Sequence, residues 1–268
     1  MDILQSFLLG LLQGLTEFLP ISSSGHLALG KYFLGENNEA GLTFEIVVHF
    51  GTLCSILIYY RTIISDLIKS GASFVVAPSK KKDDPQVKTI FFILISMIPA
   101  FIVGFTLKDN VETIFDSPFL VSGMLVVTGF ILFLTKFATE KDGKVTLGKS
   151  FLIGIAQAFA MIPGISRSGS TISTALYFGI KREDAANFSF LMVIPVIGGA
   201  MLLQFLDLLE VGIDSVQIQS LLVGFVTAFV SGYYALKYLI VILKKKGFHY
   251  FAYYCWLVGG FGLVYFWV

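Results

Sequence analysis

The stretch Ser6–Leu53 recurs as Ser150–Ile197, shifted by 144 positions without a gap. Twelve of the 48 positions are identical: Ser6, Phe7, Leu8, Gly10, Gln13, Ile21, Ser22, Ser24, Gly25, Gly35, Glu39 and Phe44 each meet the same residue type 144 positions later. Shared Leu and Phe would follow from an apolar composition alone. Matching Gln, Ser, Gly and Glu in one frame would not, so the chain carries an internal repeat.

Each copy opens on an apolar stretch with a polar interruption. Ile3–Leu34 is broken at Pro20 and carries Gln13, Glu17, Ser22, Ser23, Ser24, Gly25 and His26; Leu147–Phe178 is broken at Pro163-Gly164 and carries Gln157, Ser166, Arg167, Ser168, Gly169 and Ser170. Both read as two short helices joined by a break. That is the pattern of a re-entrant hairpin, because interrupted backbone at membrane depth survives only inside protein or against a wet cavity.

A membrane is the expected setting, because 56% of the residues are hydrophobic and only 14% charged. A soluble domain usually carries about 25% charged residues. The mean hydropathy is +0.82. Too few charges are present to cover a soluble exterior, which excludes a soluble enzyme, a disordered chain and a nucleic-acid binder with a basic face. Six segments have the length and polarity of spans: Phe44–Tyr60, Thr89–Leu107, Phe119–Phe137, Phe188–Leu206, Ile218–Ile242 and Phe248–Val268. The N-terminal stretch lacks a basic leader and a small-residue cleavage site, so it is expected to be mature protein rather than a signal peptide. Cys54 and Cys255 sit in apolar runs and read as small hydrophobes, with neither a disulfide framework nor a metal site indicated.

Three expected spans separate the two hairpins, and an odd number inverts the second copy. The expected fold is therefore an all-α integral membrane protein, one membrane domain over 1–268. It is an inverted-topology repeat (about 1–140 and 145–268) of six transmembrane helices plus two re-entrant hairpins entering from opposite faces to meet near the midplane. On this topology 16 of the 19 Lys and Arg residues lie on one side, including Lys80, Lys81 and Lys82. Lys31 and Lys108 lie on the other side, and Arg167 lies inside a hairpin. The positive-inside rule makes the crowded side cytoplasmic, so both termini and the first hairpin face outward.

Ionisable groups inside a membrane cost about 2.5–3.5 kcal/mol each on insertion scales and mark function by default. Glu17, His26 and Arg167 are three such groups, all in the hairpins. If Glu17 and Arg167 merely paired to pin the hairpins, His26 and the serines would be left unexplained. Ser22-Ser23-Ser24-Gly25 and Ser166-Arg167-Ser168-Gly169 each precede a short helix, whose free N–H groups and partial positive charge suit an anion. Small-residue helix packing would explain serine and glycine equally well. Arg167, with a planar fork matched to phosphate, turns the balance toward an anion site. Glu17 and His26 flank Pro20 and offer an acid/base pair, with Glu17 able to orient the imidazole and Ser23 beside that base as a nucleophile. His26, Ser23 and water all remain open as the attacking group. Imidazole, already nucleophilic near neutral pH, stands slightly ahead. Glu45 and His49 sit near the same mouth, where His49 reads equally as a supporting residue or as core. His249 reads as interfacial.

The segment Gln13-Gly14-Leu15-Thr16-Glu17-Phe18-Leu19-Pro20-Ile21-Ser22-Ser23-Ser24-Gly25-His26-Leu27 resembles the signature of the bacterial undecaprenyl-diphosphate phosphatases, also called bacitracin-resistance proteins. Pro163-Gly164-Ile165-Ser166-Arg167-Ser168-Gly169-Ser170-Thr171 resembles their second signature. The resemblance spans essentially the whole chain. It implies an enzyme of the bacterial inner membrane that removes the terminal phosphate of a C55 polyprenyl diphosphate at the outer face, returning the monophosphate carrier to cell-wall synthesis. The essential residues it implies are Glu17, Ser23, His26 and Arg167. Gln13, Ser22, Ser24, Gly25, Ser166, Ser168, Gly169 and Thr171 are the expected substrate contacts. It also implies a divalent cation, Mg or Ca, with Glu17 as its protein ligand. The family often has Glu where this chain has Gln13, so a second carboxylate is missing. Expected partners are the lipid substrate, membrane lipids and a second copy in a homodimer, with no nucleic acid. Two other functions fit parts of the pattern. A polyprenyl-phosphate flippase would use the inverted repeat, but the second hairpin carries no acid/base pair. An intramembrane serine hydrolase would use Ser23 or Ser24 with His26, but would have no need of Arg167.

Overall fold

The computed structural model describes residues 2–34, 40–106, 117–141, 143–211 and 217–267. Gly35, Asn37, Glu39 and Lys108, and the ends of two expected spans at Leu107 and Val268, lie outside the described residues. Among the described residues the backbone is helical and carries no strand. An isolated bridge joins Gly143 to Ile180.

Helix α1 (Ile3–Phe18) opens on a reciprocal cap in which Gln5 N donates to Asp2 Oδ1 at 2.7 Å and Asp2 N donates to Gln5 Oε1 at 2.9 Å. It ends where Pro20 forces Leu19 into an extended conformation (φ −60°, ψ 143°). Helix α2 (Ser23–Leu34) follows after four residues. The second copy repeats this plan. Helix α8 (Leu147–Phe159), capped by Thr146, stops ahead of Pro163-Gly164, and α9 (Arg167–Tyr177) restarts on the Ser166 cap. The matched glycines play matched parts. A Cβ on Gly10 would lie 2.6 Å from the carbonyl oxygen of Gly224, and one on Gly154 would lie 2.2 Å from that of Ser96. Each broken pair is thus seated closely on a long apolar helix: α1 on α11 (Gln217–Lys244), and α8 on α6 (Pro85–Thr106).

By length and composition, Pro85–Thr106, Pro118–Phe137 and Ile218–Lys244 can cross a membrane. A fourth crossing is reached if α3 (Ala40–Tyr59) and α4 (Arg61–Val76), bent by 77° at their junction, count as one; the single turn α5 (Pro78–Lys81) then leads into α6. The expected span Phe44–Tyr60 therefore stops at a corner. Tyr60, 3% exposed, is held there by donating to Asn187 Oδ1 at 3.1 Å, and Arg61, Asp66 and Lys69 give α4 charges that oppose burial in hydrocarbon. Phe188–Leu206 lies within the longer α10 (Arg182–Val211), and among the described residues the last expected span is α-helical over α12 (Phe251–Tyr265). That helix lies along α7 (Pro118–Leu134). The outward faces of α6 and α12 are apolar, with Ile102, Phe105, Leu257 and Phe261 exposed, as lipid-facing surfaces are. The largest buried apolar cluster, built on Phe18, Leu132, Ile172, Phe190 and Leu236, joins both broken pairs and the long helices into one body.

Candidate active site

The two breaks meet. Gly25, at the start of α2, faces Gly164 of the other break so closely that a Cβ on Gly25 would sit 3.0 Å from the Gly164 Cα. Gly164 has φ +92°, a conformation that a side chain would strain. Thr128 of α7 pins this break by donating to the Gly164 carbonyl at 2.9 Å and accepting from Ser166 N at 3.1 Å.

The serines of the two copies are clamped alike. Ser22 Oγ accepts from Gly25 N at 3.2 Å and lies 3.3 Å from Ser24 Oγ. Ser166 Oγ accepts from Gly169 N at 3.0 Å and lies 3.3 Å from Ser168 Oγ. Ser168 Oγ also reaches the Leu19 carbonyl of the opposite break at 3.4 Å. Ser22 takes a positive φ of 69°, unusual for a residue with a Cβ and of the kind that collects at functional sites.

Glu17 is the hub. Its Oε1 is ion-paired with Arg167 Nη2, joining residues 150 positions apart. Its Oε2 accepts from Ser23 Oγ at 2.6 Å and from Gln13 Nε2 at 3.0 Å, one turn back on α1. The carboxylate is buried, and Arg167 Nη1 is a buried donor with no hydrogen-bond partner among the described residues. An unpaired guanidinium N–H inside a protein is costly, and one on the first residue of a helix suits an anion as partner.

Glu17 does not hold His26. The His26 ring turns away, with Nδ1 2.8 Å from the Ser22 carbonyl oxygen and Nε2 2.9 Å from the hydroxyl of Tyr254 on α12. The histidine nearer Glu17 is His49, with Nε2 3.9 Å from Oε2 and Nδ1 donating to the Glu45 carbonyl at 2.8 Å. Lys31 pairs with Glu45 beside it. Thr171 is fully buried one turn into α9, its hydroxyl 2.9 Å from the Arg167 carbonyl and 2.5 Å from Ser189 Oγ. His249 lies in the turn before α12, against the ring of Tyr250. The residues that sequence reasoning missed are Thr128 and Tyr254. Each stands in an apolar helix, and a hydroxyl on a hydrophobic run was the only signal available.

The donor set does not by itself make a cation site. The Glu17 oxygens are already taken by Arg167, Ser23 and Gln13, and Gln13 offers only a neutral amide oxygen, buried and without a partner among the described residues. Among the described residues no three His, Cys, Asp or Glu side chains gather at metal-binding distance.

The two motifs that build this junction are shared with known proteins. A profile of the bacitracin resistance protein BacA family matches residues 6–261, both broken pairs included. The chain belongs to this family. The undecaprenyl-diphosphatase of Salinibacter ruber is 43% identical over 264 residues, covering 97% of this chain and 97% of the relative. The undecaprenyl-diphosphatase of Bacteroides thetaiotaomicron is 43% identical over 263 residues, again 97% of each chain. That of Rubrobacter xylanophilus is 38% identical over 260 residues, covering 95% and 94%. In this BacA-family chain the Glu17–Arg167 ion pair joins the two signatures, together with the Ser168–Leu19 bond and the close approach of Gly25 to Gly164.

Proposed function

We propose that this chain is an undecaprenyl-diphosphatase, hydrolysing the terminal phosphate of a C55 polyprenyl diphosphate to give the monophosphate carrier and inorganic phosphate. The observation that carries the reading is Arg167, with one amino group on Glu17 and the other buried and without a partner among the described residues, where two serine-clamped helix starts converge. That arrangement suits phosphoryl transfer, in which the protein contributes positioning and charge stabilisation more than covalent chemistry.

The contacts favour Ser23 over His26 as the attacking group. Ser23 already donates to a buried carboxylate at 2.6 Å, whereas both His26 nitrogens are occupied elsewhere. Ser23 Oγ attacks the terminal phosphorus while its proton passes to Glu17. The bond to the bridging oxygen breaks, and prenyl monophosphate leaves with that electron pair. Water then displaces Ser23 Oγ from phosphorus. Glu17 returns the proton to Oγ, and the water's own protons leave with the phosphate. Arg167 Nη1 and the backbone N–H groups at the two helix starts hold the phosphate oxygens throughout. Release of phosphate from C55 prenyl diphosphate by the purified protein in detergent tests the reading. Release no faster than from an Arg167→Ala, Ser23→Ala control would reject it.

The proposed setting is the bacterial inner membrane, with six spans, the broken pairs as inverted re-entrant hairpins, and the site and both termini on the outer side. The ungapped 48-residue repeat at a shift of 144 positions, the matched serine clamps and the 16-to-2 division of cations support it. In intact cells an impermeant thiol reagent is expected to modify Asn37→Cys and to spare Ser79→Cys in the cytoplasmic loop. Labelling of Ser79→Cys from outside would reverse the orientation.

A further inference from the structure

The contacts around His26 decide its tautomer. A carbonyl oxygen only accepts, so Nδ1, 2.8 Å from the Ser22 carbonyl, carries the ring hydrogen. The ring is 7% exposed, and no carboxylate is bonded to it among the described residues, so it is neutral and Nε2 presents a lone pair. The group 2.9 Å from that lone pair is the Tyr254 hydroxyl, which is therefore the donor. The two rings lie within 12° of parallel, their centroids 5.6 Å apart. Cys255, the next residue, is fully buried with its Sγ 3.9 Å from the Pro20 carbonyl oxygen, so α12 is seated on the first break at two consecutive positions.

We propose that Tyr254 is a positioning residue of the hydrolysis. Its hydroxyl locks His26 as the Nδ1–H tautomer, and the locked ring braces the Ser22 carbonyl. Neutral imidazole in water favours hydrogen on Nε2, so the form seen here is held from both sides, by the Ser22 carbonyl facing Nδ1 and by the Tyr254 hydroxyl facing Nε2. The carbonyl that Nδ1–H holds belongs to the residue with φ 69°, one position before Ser23. Bracing this turn keeps Ser23 Oγ 2.6 Å from Glu17. The line of support runs from Tyr254 through His26 and the Ser22 carbonyl to Ser23. It also turns the Nε2 lone pair toward α12, where it does not compete with Glu17 for the Ser23 proton. The functional half of this inference rests on the diphosphatase reading, and the tautomer half rests on geometry alone.

Tyr254→Phe tests it, because the variant keeps the ring and removes only the hydroxyl. The chain has three histidines, so nitrogen-15 spectra of the imidazoles can be assigned with His49→Gln and His249→Gln variants. In the wild type, His26 is expected to show a protonated Nδ1 and an unprotonated Nε2. In Tyr254→Phe the two signals should move toward one another as the other tautomer becomes populated. kcat should fall about tenfold, the worth of one buried hydrogen bond, with KM unchanged. A His26 spectrum identical in wild type and variant would overturn the inference, as would a changed tautomer with kcat intact. A lower melting temperature with unchanged ring signals would also reject it, since that is what a purely structural role predicts. A wild type that releases no phosphate would sink the diphosphatase reading instead, and the ring signals would still decide the bond.

Discussion

Ser23→Ala is expected to lower turnover on the order of 10³-fold or more, because it removes the atom that attacks phosphorus and leaves only binding and charge stabilisation behind. The substitution deletes one oxygen and frees one Glu17 lone pair, which Gln13 and Arg167 still flank, so the junction should hold. His26→Gln should be slow but measurable, because it loosens the Ser22 turn without removing the nucleophile. Rapid-quench labelling, with radioactive phosphorus in the terminal phosphate of the substrate, distinguishes the routes. An acid-stable label that vanishes in Ser23→Ala is the expected result. An acid-labile, base-stable label would move the attack to His26. No label at short times, with Ser23→Ala still turning over, would mean that water attacks directly.

Arg167→Lys should cost on the order of 10²-fold or more in kcat/KM although the charge is kept. Arg167 has a planar fork with two ends to place, Nη2 on Glu17 and Nη1 without a partner among the described residues. A lysine ammonium is a single point. It can satisfy Glu17 or reach a phosphate, and in satisfying Glu17 it leaves the anion seat empty. The loss should fall on the diphosphate and on inorganic phosphate as a product inhibitor together, because both use the same donor. Near-normal turnover by Arg167→Lys would show that net charge at the junction suffices and that the fork is incidental.

What the amino-acid order determined alone is what depends on local composition and on self-similarity. The matched Gln13/Gln157, Ser22/Ser166 and Gly25/Gly169 pairs announced two equivalent breaks, and both appear with the same hydroxyl clamp, because a serine cap and the glycine three residues later lie within one turn of helix. The outliers Glu17, His26 and Arg167 were legible because charge in an apolar run is rare and costly. The partner of each was not. Glu17 and His26, nine positions apart across a break, looked like an acid/base pair. The strained Ser22 turn instead sends the carboxylate to Ser23 and Arg167 and the imidazole to Tyr254. The apolar run after Thr43 likewise looked like a plain span, yet the Tyr60–Asn187 bond and the charges of α4 make a corner of its end.

Tyr254 lies 228 positions from His26 and Thr128 lies 38 from Ser166, each a hydroxyl in an otherwise ordinary lipid-span sequence. Helix periodicity places a side chain on a face but not against a neighbour. Which hydroxyl meets which nitrogen is set by how α7 and α12 dock on the two breaks, and that docking is decided by the shared core and the close contacts at glycine. The site's inventory was therefore written locally, whereas its wiring exists only once the helices have packed.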